Sequence, residues 1–444
     1  MVRDMTEGKV GGLLLGFTIP LVLGNLFQLF YNAADSMIVG RFVGTEALAA
    51  VGASSPVMTL AILFINGMCL GASILMGVQF GAGDIEKLKR QASTTMVSGV
   101  VFSLALSAVC ILFTPQLLRL IKVEEEIMPL AVAYLRVVFG GMLFTFIYNF
   151  YANTLRALGD SKGPLIFLVI SSVLNIFGDL FFVTMTDLGS TGCAIATVLS
   201  QLVCAITCGI YVKKKVDFLN LGRKWLVFDK DLFVTTVNYG WVSATQQASI
   251  QFGKVIIMAM VNTMGVAAAA AFTVASRIDD FAIIPANSIA AAMTALMAQN
   301  LGAHKYDRLN EGFKSGMFIE IVYGILTGLI CIVFSGALMR IFSDDVSVIE
   351  VGKTYLGIIG FFYIMPALTN GLQGYFRGIG DLKVTMWSSF MNIGVRVVAA
   401  AILVRGFGFG IGAIAVASLI GWLAMFFYEL PILIKTAKRH AYEK

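Results

Sequence analysis

Charge is what this sequence has least of. Of its 444 residues only 13% are Asp, Glu, Lys or Arg, against ~25% in an ordinary soluble domain, and 58% are apolar. So little charge cannot cover the surface that such a chain would expose in water, which excludes a soluble enzyme. The first hydrophobic run has no small-residue cleavage site and is too long for a signal peptide, so an ordinary secreted protein is excluded too. Strand alternation is also missing: the apolar runs are continuous, unlike those of an outer-membrane barrel. Histidine is nearly absent, and both copies, His304 and His440, fall in polar segments, which leaves no His-based zinc or catalytic centre. The six cysteines (69, 110, 193, 204, 208 and 331) all lie within apolar runs. Cys204 and Cys208 share a helix face, a pattern that suits packing better than metal binding. Neither a structural metal nor an organic cofactor is expected.

What the sequence does have is long apolar runs. A helix needs ~20 apolar residues to cross a bilayer. Twelve such runs are present, at 12–40, 46–80, 92–115, 127–155, 164–186, 190–212, 232–260, 266–300, 313–338, 349–376, 384–404 and 410–434. An all-α membrane protein of twelve transmembrane helices follows. The loops then set its orientation. With both termini on one side, that side receives 22 of the 32 Lys and Arg residues and the opposite side 6. Basic loops stay in the cytoplasm, so both termini are expected there, in a multi-pass cell-membrane protein. The net charge of +6 is explained by this bias and implies no nucleic acid.

The chain also repeats itself. Gly81-Ala82 with Glu86-Lys87-Leu88 is echoed by Gly302-Ala303 with Asp307-Arg308-Leu309, at an offset of 221 residues. Arg156-x-x-Gly159-Asp160-x-Lys162 returns as Arg377-x-x-Gly380-Asp381-x-Lys383, and Gly44-x-x-Ala47 as Gly265-x-x-Ala268, at the same offset. The expected organisation is an N-lobe over 1–212, a cytoplasmic linker over 213–230 and a C-lobe over 231–444. An even number of spans per copy gives two pseudo-symmetric six-helix bundles, parallel repeats about an axis along the membrane normal. Such a chain encloses its own central cavity, so a monomer working by alternating access is expected. The Arg-x-x-Gly-Asp-x-Lys loops read first as tight helix-end turns.

Ionisable groups inside spans are expensive and point to function. Asp35 lies six residues before Arg41 at the outer end of its span, and Asp179 eight before Asp187 in an outer loop. Thr197 lies seven residues into the sixth span, and Asn175 one turn from Asp179 on the same face. At ~1.5 Å per residue these groups converge at one level of the outer half-membrane. Carboxylates, an amide oxygen and a hydroxyl suit a hard cation. Two carboxylates together equally suit a proton, because burial and mutual repulsion disfavour a pair of bare charges. Gln28, Tyr31 and Asn32 precede Asp35 on nearby faces; Asn149 and Asn153 form a polar ladder on the fourth span, and Gln201 follows Thr197 by one turn. These would line an amphipathic cavity for varied organic ligands.

The second copy lacks this chemistry. At the same offset Asp35 becomes Ile256, Asp179 becomes Ala400 and Asn175 becomes Arg396. Lys254, Arg277, Asp280 and Arg396 are expected to form a structural or gating ion network, with Arg277 and Asp280 spaced to pair along one helix. Pro20 interrupts the first span and is a candidate hinge.

These features together resemble the multidrug and toxic compound extrusion (MATE) transporters, above all the prokaryotic branch with an acidic N-lobe site. The resemblance covers nearly the whole chain. It rests on Tyr31-Asn32-Ala33-Ala34-Asp35, the two Arg-x-x-Gly-Asp-x-Lys loops, Asn175-x-x-x-Asp179 and Thr197. It implies cation-coupled export of bulky, often cationic organic compounds. Asp35, Asn175, Asp179 and Thr197 would hold H⁺ or Na⁺, and Gln28, Tyr31, Asn153 and Gln201 would contact the drug. Lys254 in the seventh span and Asn370 in the tenth depart from the branch whose coupling acids lie in the C-lobe. A lipid-linked oligosaccharide flippase of the same superfamily is the alternative within transport. An intramembrane aspartyl-type hydrolase built on Asp35 and Asp179 is the alternative among enzymes, and the duplication argues against it.

Overall fold

The computed structural model describes residues 2–219, 226–406 and 409–442. Part of the expected linker, 220–225, therefore lies outside the described residues, as does the side chain of His440. Every element among the described residues is helical. In chain order the first eight are α1 (Val10–Ile38), α2 (Thr45–Gly81), α3 (Ile85–Leu120), α4 (Met128–Gly140), α5 (Met142–Ala157), α6 (Lys162–Met185), α7 (Gly189–Lys215) and α8 (Lys230–Asn262). There follow α9 (Val266–Gly302), α10 (Tyr306–Val333), α11 (Ser335–Arg340), α12 (Val346–Gly360), α13 (Ile364–Gly378), α14 (Leu382–Ala401) and α15 (Gly412–Tyr442). Short π-helical segments, Val39–Val43 and Ile402–Gly406, extend α1 and α14.

Nine of these helices are long and apolar enough to cross a membrane alone, α1 and α14 counted with their π-helical ends, and two bent pairs, α4–α5 and α12–α13, do so together. The one remaining run, 232–260, is α8, whose 33 residues reach ~50 Å. Gln246, Gln247, Gln251 and Lys254 dilute its apolar character without shortening it. The runs at 127–155 and 349–376 are not single straight spans: each breaks, by 47° and 54°. Gly140 and Gly141 supply the first break, and Gly141 comes so close to Val198 that a methyl group would not fit. The second falls at 361–363, just ahead of Pro366 in the opening turn of α13.

Contacts divide the chain into one unit of Met1–Asp4 with Ile19–Ala244, and another of Met5–Thr18 with Thr245–Lys444. α1 remains helical through Pro20, and the division falls one residue before that proline. In the first unit Ile65, Met76, Leu88, Leu135, Phe139 and Phe146 form the dry centre. In the second, Ile257, Phe272, Met339, Tyr355, Leu356 and Ile414 do the same. The start of the chain is tied down within this second unit. Gln299 accepts from the Met5 amide at 2.8 Å, and Asn300 and Arg308 donate to the Met5 carbonyl. Lys305 reaches the carbonyl and hydroxyl of Thr6.

The repeat is carved into the backbone. Left-handed residues occur at Gly44 and Gly265 (φ 121° and 104°), at Gly83 and His304 (71° and 54°), and at Gly159 and Gly380 (82° and 83°). Each pair is 221 residues apart. The Arg-x-x-Gly-Asp-x-Lys loop is indeed a helix-end turn. Gly159 turns the chain out of α5, and Asp160 caps α6 by accepting from the amides of Lys162 and Gly163 at 3.1 and 3.0 Å. Tyr211 of α7 donates to the other oxygen of Asp160 at 2.7 Å. Burial works against the ionised carboxyl there, yet the Gly163 amide and the Tyr211 hydroxyl outweigh it and hold Asp160 below the usual carboxylate range.

Candidate functional site

Three helices of the first unit deliver the acidic cluster. α1 brings Asp35 near its C-terminal end, α6 brings Asp179, and α7 brings Cys193 and Thr197. The ligand atoms of Asp35, Asp179 and Cys193 all lie within 4.8 Å of one another. The two carboxyls thus face each other at close range. Asp179 is 0% exposed and Asn175 1%. Among the described residues no donor reaches either oxygen of Asp179, Asp35 Oδ1 or Asn175 Oδ1. Buried polar atoms are nearly always satisfied, so four orphaned oxygens in one place mark a site built to receive something. The amide nitrogen of Asn175 is engaged: it donates to the Thr197 hydroxyl at 3.2 Å and joins α6 to α7.

The four residues expected from the sequence to share one depth are thus brought together as two linked pairs, Asp35 with Asp179 and Asn175 with Thr197. Sequence reasoning missed Cys193, which sits one helical turn before Thr197 and is 1% exposed. It also missed Tyr134 of α4, 5% exposed and close enough to Asp35, Asp179 and Cys193 to interact electrostatically with all three. The spacing of Cys193 to Thr197 was the available signal for the thiol.

The residues expected to touch an organic ligand are spread more widely over the same unit. Tyr31 is half-buried one turn before Asp35, and Gln28 stands exposed on α1. Asn153 is half-buried and donates to the Asn149 carbonyl at 2.8 Å, as Asn149 does to Thr145. The Gln201 amide oxygen accepts from the Thr145 hydroxyl, so part of its polarity serves to join α7 to α5.

The second unit is built differently. Lys254 of α8 pairs with Asp280 of α9 at 3.2 Å, whereas Arg277 stands exposed; the cross-helix partner takes the carboxylate that lies one turn away along α9. Tyr363 donates to Asp279, and Arg396 acts on the same carboxyl electrostatically. Two carboxylic acids here escaped the sequence reading, although both stand inside apolar runs. Glu320 of α10 is fully buried, and among the described residues neither of its oxygens meets a donor. Glu429 of α15 accepts from Gln373 at 2.9 Å, in a network with Gln246, Ser388 and Ser389.

Comparison with known proteins fixes the class. The family model described as MatE matches residues 20–181 and 243–402. The chain belongs to the MatE family, the multidrug and toxic compound extrusion transporters, and is a multi-pass membrane transporter rather than an enzyme. It is similar to the "Probable multidrug resistance protein YoeA" of Bacillus subtilis, 29% identical over 87% of this chain and 85% of that one. It is likewise 29% identical to "Probable multidrug resistance protein YpnP" of the same organism, over 92% and 93% of the two chains. Its fold matches a solved structure described as the outward-facing conformation of a multidrug resistance MATE family transporter, with a TM-score of 0.92, 22% identity and 99% of both chains covered. That fold has twelve transmembrane helices in two bundles.

Proposed function

We propose that this transporter is an antiporter, exporting bulky, often cationic organic compounds in exchange for H⁺ or Na⁺ taken up at Asp35, Asp179, Asn175 and Thr197. The observation that carries the reading is Asp179, fully buried, unreached by any donor among the described residues, and held beside a second carboxyl. Two bare negative charges in such a place are too costly to persist, so the pair is stable only with a proton or a metal cation between them. That requirement couples the occupancy of the site to a gradient. The names of the Bacillus subtilis relatives support drug-like compounds as cargo. Gln28, Tyr31, Asn153 and Gln201 are the proposed contacts to that cargo. The excess of Lys and Arg in alternate loops supports a cell-membrane protein with cytoplasmic termini, acting as a monomer by alternating access between lobes 1–212 and 231–444.

The test is dye efflux from loaded proteoliposomes under separately imposed proton and sodium gradients. Asp35→Asn is expected to abolish gradient-driven efflux while leaving the protein folded and inserted. Efflux at the unsubstituted rate in Asp35→Asn overturns the proposal.

A further inference from the structure

Cys193 has no part in the proposed exchange of protons or sodium, yet its sulfur lies at the acid pair. Its Sγ is within 4.8 Å of a carboxylate oxygen of both Asp35 and Asp179. The residue is 1% exposed, so the thiol does not face water. An ion with ~2.0–2.3 Å bonds to oxygen and sulfur sets neighbouring ligands ~3.5 Å apart, which a small side-chain adjustment of this trio provides. Asn175, one turn from Asp179, adds a buried amide oxygen that no donor reaches among the described residues. Two carboxylates, one thiol and one amide oxygen are a mixed donor set. Hard ions such as sodium use only its oxygens, whereas the sulfur favours softer metals.

We infer that Asp35, Asp179 and Cys193 form a binding site for a thiophilic divalent cation, Zn²⁺ or Cd²⁺, which competes with the coupling ion for the same two carboxylates. The competition rests on the exchange proposed above; the metal site itself does not. Binding forms one metal–sulfur bond and releases the thiol proton, together with any proton that the acid pair shares. The ion is therefore held more tightly as pH rises, and bound metal blocks the exchange that the carboxylates carry.

Cadmium chloride is the probe, added to purified full-length protein in detergent. The expected result is an ultraviolet thiolate-to-cadmium band that saturates at one ion per chain, with proton release. Cys193→Ser should lose the band, and the double variant Cys204→Ser with Cys208→Ser should keep it. In proteoliposomes cadmium should inhibit efflux, and Cys193→Ser should raise the half-inhibitory concentration at least ~10-fold, measured against its own rate without cadmium. If Cys193→Ser does not insert, cadmium NMR of the unsubstituted protein decides, because one sulfur with oxygens gives a different resonance from two sulfurs. A band that survives Cys193→Ser, a two-sulfur resonance, or no band at all overturns the site. A band without inhibition leaves the metal site standing and overturns its competition with the coupling ion. A missing band beside gradient-driven efflux that Asp35→Asn abolishes overturns the metal site and leaves the proposed exchange intact.

Discussion

Asn175 on α6 donates its side-chain amide to the Thr197 hydroxyl on α7 across 3.2 Å. With its nitrogen so engaged, the amide leaves Asn175 Oδ1 as the atom that no donor reaches among the described residues. A hydroxyl two helix turns from the start of α7 thus anchors a polar side chain on its neighbour.

Removing that hydroxyl should cost about 1 kcal/mol of orientation, close to a fivefold change in an equilibrium. Thr197→Ala is expected to raise by about fivefold the ion concentration that half-saturates efflux, and Thr197→Ser is expected to restore it. Efflux measured against graded proton or sodium gradients checks this. An unchanged half-saturation in Thr197→Ala means that the hydroxyl does not orient the amide.

A second expectation concerns the turn between α5 and α6. Asp160 is held below the usual carboxylate range by the Gly163 amide and the Tyr211 hydroxyl. Its folded value lies below its unfolded value, so its stabilisation is complete above the unfolded value and fades as pH falls through the folded one. Asp160→Asn should cost about 1 kcal/mol near neutrality, because the amide can still accept from the backbone but loses the carboxylate oxygen to which Tyr211 donates, and nearly nothing in strong acid. Thermal unfolding in detergent at the two pH values reads the gap. A gap that stays constant with pH contradicts the role given to the ionised carboxyl.

The third concerns His304, whose φ of 54° occupies a left-handed position that its counterpart, Gly83, fills without a side chain. Side chains pay about 1 kcal/mol or more there. His304→Gly should therefore stabilise the protein by roughly 1 kcal/mol, less the entropy that glycine adds to the unfolded chain. A lowered melting temperature would show that the His304 side chain contributes more than the strain it bears.

Much of the fold was legible because a bilayer enforces simple rules. Runs of about 20 apolar residues must be helices, and the 221-residue offset reappears in the left-handed turns at Gly44 and Gly265 and at Gly159 and Gly380. The convergence of Asp35 and Asp179 was legible from depth, since rise per residue is fixed along a helix. The breaks after Gly140 and Gly360 were not, because hydropathy averages over a window and registers no change of direction. Cys193 was hidden for a related reason: in an apolar run a cysteine that packs and one that meets a carboxylate look alike. The partner of Asp280 was also beyond reach. Spacing along α9 allowed Arg277, but Lys254 approaches from another helix, and only tertiary structure ranks the two. Glu320 and Glu429 were visible as acids within spans, and what the sequence withheld was whether anything answers them.

The matched turns set against the unmatched interiors show what the duplication kept. Joints at Gly44, Gly83 and Gly159 have counterparts with nearly the same backbone angles, while Asp35, Asn175 and Asp179 face Ile256, Arg396 and Ala400 across the repeat. The hinges of the architecture tolerate little, because few residues accept those angles; the interior tolerates much, because a rigid frame carries whatever chemistry is hung on it. One half of this chain is accordingly an internal control for the other: the same scaffold with a guanidinium side chain at Arg396 where the first half has the amide of Asn175. Exchanging single side chains between corresponding positions separates what the frame contributes from what the acids contribute, within a single molecule.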